Sequence, residues 1–137
     1  MRTIDEILEQ SRVIVVVGLS PREERDSHRV AKYLQAQGYR IIPVNPIAEE
    51  ILGEQCYPSV TDVPEEIDVV DVFRRSEDVP PVVEEAIRKG AKVVWMQLRI
   101  VNEEAAERAR AHGMEVVMDR CMLVEHGRWK GIPEELV

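Results

Sequence analysis

One glycine in this sequence follows directly on a strand-like run. Gly18 closes Val13-Ile14-Val15-Val16-Val17 and leads into Leu19-Ser20. A glycine turn there lets an anionic group such as a phosphate approach the backbone, and the next helix N-terminus adds N–H donors and positive partial charge. No GxGxxG accompanies it, so an ordinary tight turn stays open as the alternative. The loop that follows carries Arg22, Arg25 and Arg29 against Glu23, Glu24 and Asp26. Its charges cancel, so any anion site must come from single arginines aimed inward. Arg25 is read towards a ligand; Arg22 and Arg29 are read as solvated and self-paired. Arg74 and Arg75 precede a predicted helix N-terminus, where a cation is unfavourable by some tenths of a kcal/mol unless an anion sits there. Pairing with Glu77 and Asp78 is the competing reading, open for Arg74 and favoured for Arg75.

Other chemistry is sparse. His28, His112 and His126 have no evident carboxylate or nucleophile partner, and His112 suits a helix C-terminus. Cys56 and Cys121 lack CxxC spacing and any nucleophile signature. No metal-ligand spacing occurs. The expectation is therefore a binding site with no catalytic residue and no metal.

These residues need elements to position them. Thr3-Ile4-Asp5-Glu6 fits a capping box for a short helix over residues 1–10. Apolar runs predict five strands: Val13–Val17, Arg40–Val44, Asp68–Phe73, Lys92–Met96 and Glu115–Met118. Gly38, Gly90 and Gly113 each end a helical pattern and precede such a run, a position that favours left-handed backbone. The loop after Ser20 is expected to last until Asp26 or Ser27, because residues 21–26 offer no apolar face. Ser76 and Asn102 are expected to cap the helices that follow them, and residues 126–137 to form an irregular tail. Near-continuous apolar strands alternating with helices predict one α/β domain over residues 1–137. Its core is a doubly wound, Rossmann-like parallel sheet of order 3-2-1-4-5 in these predicted strands. Ligands of such sheets sit at the carboxyl ends of the strands. Gly18-Leu19-Ser20, Asn45-Pro46, Phe73-Arg74, Gln97 and Asp119-Arg120-Cys121 would meet there. Dinucleotide enzymes usually carry Asp or Glu where Asn45 stands, which disfavours NAD.

Composition bounds the partners. The chain has 137 residues, the length of about one domain. Eighteen Lys and Arg against 26 Asp and Glu leave a net charge of −8. That argues against nonspecific nucleic-acid binding. No apolar run approaches the roughly 18 residues of a membrane span. The first residues show no signal-peptide core, and two scattered cysteines suit a reducing compartment, so a cytoplasmic location is expected.

Taken in order and spacing, several segments resemble the small bacterial and archaeal CoA-binding protein family. They are Gly18-Leu19-Ser20, Arg25-Asp26-Ser27, Val30-Ala31-Lys32-Tyr33-Leu34, Gly38-Tyr39-Arg40-Ile41-Ile42-Pro43-Val44-Asn45-Pro46, Val69-Val70-Asp71-Val72-Phe73-Arg74, Val94-Trp95-Met96-Gln97 and Val117-Met118-Asp119-Arg120-Cys121. The resemblance runs from about Ser11 to Glu125. That family is similar to the CoA-binding, Rossmann-like domain of the succinyl-CoA synthetase α subunit. The resemblance implies that Gly18, Leu19 and Ser20, with Arg25, Ser27 and His28, meet the phosphates of coenzyme A. It also implies that Asn45, Pro46, Phe73, Arg74 and Gln97 line the adenosine and pyrophosphate crevice. Family members often have glycine where this chain has Arg99. The synthetase keeps its phosphorylated histidine in a second domain without counterpart here. The expected function is thus binding of coenzyme A or a short acyl-CoA by a non-catalytic module. The alternative is an NAD(P)-dependent oxidoreductase on the same fold. A third reading is a regulator that docks onto an unidentified protein partner with CoA as the signal.

Overall fold

The structure is a computed structural model, and it describes residues 1–136. Helix α1 (Ile4–Gln10) is closed at its start by the expected box: Glu6 N–H donates to Thr3 Oγ1, and Glu6 Oε1 accepts from Thr3 N–H. Then follow β1 (Val13–Val17), α2 (Asp26–Ala36), β2 (Arg40–Val44), a small hairpin of β3 (Glu50–Ile51) and β4 (Glu54–Gln55), and β5 (Val69–Val72). The remainder is α3 (Val79–Lys89), β6 (Val93–Met96), α4 (Glu103–Ala111), β7 (Glu115–Val117) and α5 (Met122–Lys130). Among the described residues no helix is long and apolar enough to cross a membrane.

Five strands form one parallel sheet, β2-β1-β5-β6-β7. Alternate side chains enter two cores, as the period of a strand requires. Val15, Val70 and Val94 face α3, α4 and the Val60–Ile67 connection; Ile14, Val16 and Trp95 face α1, α2 and α5. Burial on both faces explains why the strands read as continuous apolar runs.

The α/β, Rossmann-like class is as expected, but the strand order is not. In the predicted numbering it is 2-1-3-4-5, because the strand at 69–72 lies beside β1 and not beyond β2. Two features decide this. The outer edge of β2 is already taken: Tyr57 N–H donates to the Pro43 carbonyl and Asn45 N–H to the Tyr57 carbonyl, both at 3.0 Å. Gly18, in turn, admits the neighbouring chain. A Cβ there would lie 2.2 Å from the Phe73 carbonyl oxygen. The switch point therefore falls between β1 and β5.

Two local expectations also change. Residues 126–130 are not part of an irregular tail but the second half of α5. A glycine inside a helix costs about 1 kcal/mol relative to alanine, yet α5 holds Gly127 because Met122, Leu123 and His126 are buried on it. His126 is boxed edge-on by Tyr33, Tyr39 and Trp129. Packing, not propensity, makes this helix. Ser76 does not cap a helix; its hydroxyl accepts from Val101 N–H at 3.1 Å. Asn102 does cap α4, accepting from Ala105 N–H at 2.9 Å.

Candidate functional site

The carboxyl ends of β1 and β5 border an open cavity of about 580 Å³, lined by Gly18, Ser20, Arg22, Glu24, Arg25, Asp26, Ser27 and Phe73; Leu19, Asn45, Pro46 and Gln97 are not among its lining. Gly18 has φ +85° and its N–H donates to the Val44 carbonyl. The loop after it is held from below. Ser27 Oγ accepts from Ser20 N–H at 3.0 Å, and His28 Nδ1 lies 2.9 Å from the Ser20 carbonyl. Ser27 and His28 are both buried. Leu19 is wholly buried in the core beneath the turn. Asn45 braces the same loop from β2: its Nδ2 donates to the Leu19 carbonyl, and its Oδ1 accepts from Ile47 and Ala48 N–H. Pro46 sits exposed on that bracing turn.

Helix α2 begins without a side-chain cap, because Arg25 stands at its N-cap. Orphan N–H groups of an uncapped first turn suit an anion. The arginines sort into two groups. Arg22 pairs with Glu24 at 2.7 Å, Arg29 lies 3.7 Å from Asp26, and Arg75 lies 3.4 Å from Glu77 and 3.1 Å from Asp78. Arg25, Arg74 and Arg99 have no carboxylate within ion-pair distance among the described residues. Arg74 is half-buried, and its Nη1 would lie 3.4 Å from a Cβ at Gly18. A half-buried guanidinium folded over a bare glycine turn, beside an uncapped helix start, fits a phosphate group.

Gln97 is placed differently from the other candidates. It is buried and fully engaged: Nε2 donates to Asp71 Oδ1, and Oε1 accepts from Met122 N–H at 3.3 Å. It ties the crevice floor to the start of α5. Its partner Asp71 is a residue whose role sequence reasoning missed. Asp71 is wholly buried on β5, its Oδ2 has no hydrogen-bond partner, and burial pushes its carboxyl up to about 7. The signal was one acid inside Val69-Val70-Asp71-Val72.

Arg99 also gains meaning from the structure. It adopts φ +70°, a backbone conformation that favours glycine. Non-glycine residues pay about 1–2 kcal/mol for that conformation. Cys56 is buried, and burial raises its thiol pKa. Cys121 is half-buried at the N-cap of α5. Burial lowers the His126 pKa. No group of three or more His, Cys, Asp or Glu side chains among the described residues could hold a metal ion.

Residues 12–127 match the family described as a CoA binding domain, and the chain belongs to that family. It is 48% identical over 123 residues to the uncharacterized protein YneT of Bacillus subtilis, covering 90% of this chain and 91% of that protein. A hypothetical protein from Pyrococcus horikoshii has a solved structure similar to this one, with a TM-score of 0.91, 49% identity, and coverage of 93% of this chain and 90% of that one. The chain is also 32% identical over 121 residues to ADP-forming acetate–CoA ligase I of Archaeoglobus fulgidus. That match covers 81% of this chain but 18% of the ligase.

Proposed function

We propose that this chain binds coenzyme A or a short acyl-CoA in the Gly18 crevice, acting as a binding module and not as a ligase on its own. The observation that carries this reading is Arg74, half-buried against Gly18 and free of any carboxylate partner among the described residues. Family membership agrees with the ligand class. The match to the ligase spans only 18% of that protein, so its reaction is not carried over. Phosphate groups would meet the Gly18–Ser20 turn, Arg25, Arg74 and the first turn of α2. Asn45, Ser27 and His28 hold that turn in shape. Gln97 supports the floor from beneath.

Titration calorimetry with CoA, dephospho-CoA, NAD and NADP tests it. CoA is expected to bind most tightly, and Arg74→Gln to weaken it roughly tenfold, as loss of one charge-assisted contact would. No CoA binding at millimolar concentration overturns the proposal. A preference for dephospho-CoA, which lacks the 3′-phosphate, excludes that phosphate from the groups that Arg25 and Arg74 meet.

A further inference from the structure

Arg99 stands apart from the Gly18 crevice. It occupies the third position of the turn Gln97–Ile100, closed by Ile100 N–H donating to the Gln97 carbonyl at 2.9 Å. A positive φ at that position favours glycine. Here the backbone is clasped from the neighbouring strand end. Asp119, itself at φ +58°, accepts Arg99 N–H on Oδ1 at 2.6 Å and donates its own N–H to the Ile100 carbonyl at 3.3 Å. The clasp engages the backbone of Arg99 and leaves its guanidinium without a carboxylate among the described residues. The other cations on this side are taken: Arg120 and Arg128 both approach Glu125, at 3.8 and 2.9 Å.

The flanking residues are apolar and turned outward. Leu98 is 57% exposed and Val101 41%. Leu98 also borders a second cavity of about 450 Å³, whose walls combine Met118, Cys121 and Val124 with the charged Asp119, Arg120, Glu125 and Arg128. An exposed, unpaired cation on a fixed backbone, with apolar neighbours, suits a ligand whose chain is aliphatic and whose end is anionic. The strand ends carrying Gly18 and Gln97 are two strand spacings apart, about 10 Å. The pantetheine arm of coenzyme A is longer than that.

We propose that Arg99 is a specificity-determining residue for the acyl group, and that the preferred ligand is a CoA thioester of a dicarboxylic acid. Its acyl chain lies along Leu98 and its terminal carboxylate meets the Arg99 guanidinium. This rests on the CoA reading above. The experiment is calorimetry with two matched pairs, malonyl-CoA against propionyl-CoA and glutaryl-CoA against pentanoyl-CoA, alongside free CoA. The wild-type chain is expected to favour the diacid member of at least one pair roughly tenfold, the worth of one charge-assisted pair. Arg99→Gly, which suits the backbone and keeps the fold, is expected to bring that ratio to about one. Equal affinity within both pairs while free CoA binds overturns this inference alone. Arg99→Gly that weakens both members of a pair equally also overturns it, assigning Arg99 to a phosphate of CoA. Absence of binding by free CoA and by every thioester overturns the CoA reading with it.

Discussion

Gly18 and Arg99 follow the carboxyl ends of two inner strands, β1 and β6, both with positive φ. At Gly18 the constraint is space: the Phe73 carbonyl fills the place a Cβ would take. At Arg99 there is room, and the conformation is instead held by the Asp119 carboxylate. A glycine demanded by sterics admits no substitute. A glycine demanded only by torsion can be replaced when a neighbour stabilises the turn, and the side chain so introduced is free for other work.

The comparison can be broken at three points. Gly18→Ala should have the largest effect. Its Cβ would meet the backbone at 2.2 Å, so a loss of roughly 2–4 kcal/mol in denaturant unfolding is expected, together with loss of CoA binding. A near-neutral Gly18→Ala would mean the two turns are alike. Asp71 lies beneath the floor between them and comes next. An unfolded chain releases the Asp71 proton near 3.8, whereas the folded chain keeps it to about 7. Within that window the folded state holds the extra proton, so this group's contribution to stability falls as pH rises. Asp71→Asn should therefore gain on the wild type between pH 4 and 7, by a few kcal/mol at most. Parallel stability–pH curves for the two proteins would refute it. Arg99→Gly should have the smallest effect, raising stability by about 1 kcal/mol through relief of the left-handed strain. Thermal unfolding would show a modest upward shift; a fall would mean the side chain contributes to folding.

Much of this was legible in the sequence because it is local. The Thr3–Glu6 box, the Asn102 cap, the loop reaching Asp26 and the glycines at 38, 90 and 113 are decided by a few adjacent residues. So was the self-pairing of Arg22, Arg29 and Arg75, whose carboxylates lie within three positions. Strand order was not legible, because it depends on Tyr57 covering an edge that belongs to residues 43–45. Helix α5 was hidden for a similar reason, since His126 finds its aromatic box in α2, Tyr39 and its own helix. At the candidate site, residue types do not tell which polar atoms are already engaged within the protein. Asn45, Ser27, His28 and Gln97 are polar, which sequence can show. That their polar atoms are spent on the protein itself depends on partners up to 26 positions away, as with Asn45 and the Leu19 carbonyl.

Trp95 is wholly buried on β6, and its indole N–H donates to the Arg120 carbonyl at 2.8 Å. The other tryptophan, Trp129, is partly buried, with Lys130 Nζ 4.4 Å from its ring centre. The molecule thus carries two fluorophores in unlike surroundings, one dry and one within reach of solvent. Burial of Trp95 predicts a blue-shifted emission component that an added aqueous quencher should spare. Because the indole N–H bond runs to the strand-end segment that holds Cys121, its emission is an intrinsic optical gauge of movement at that strand end. No label has to be attached.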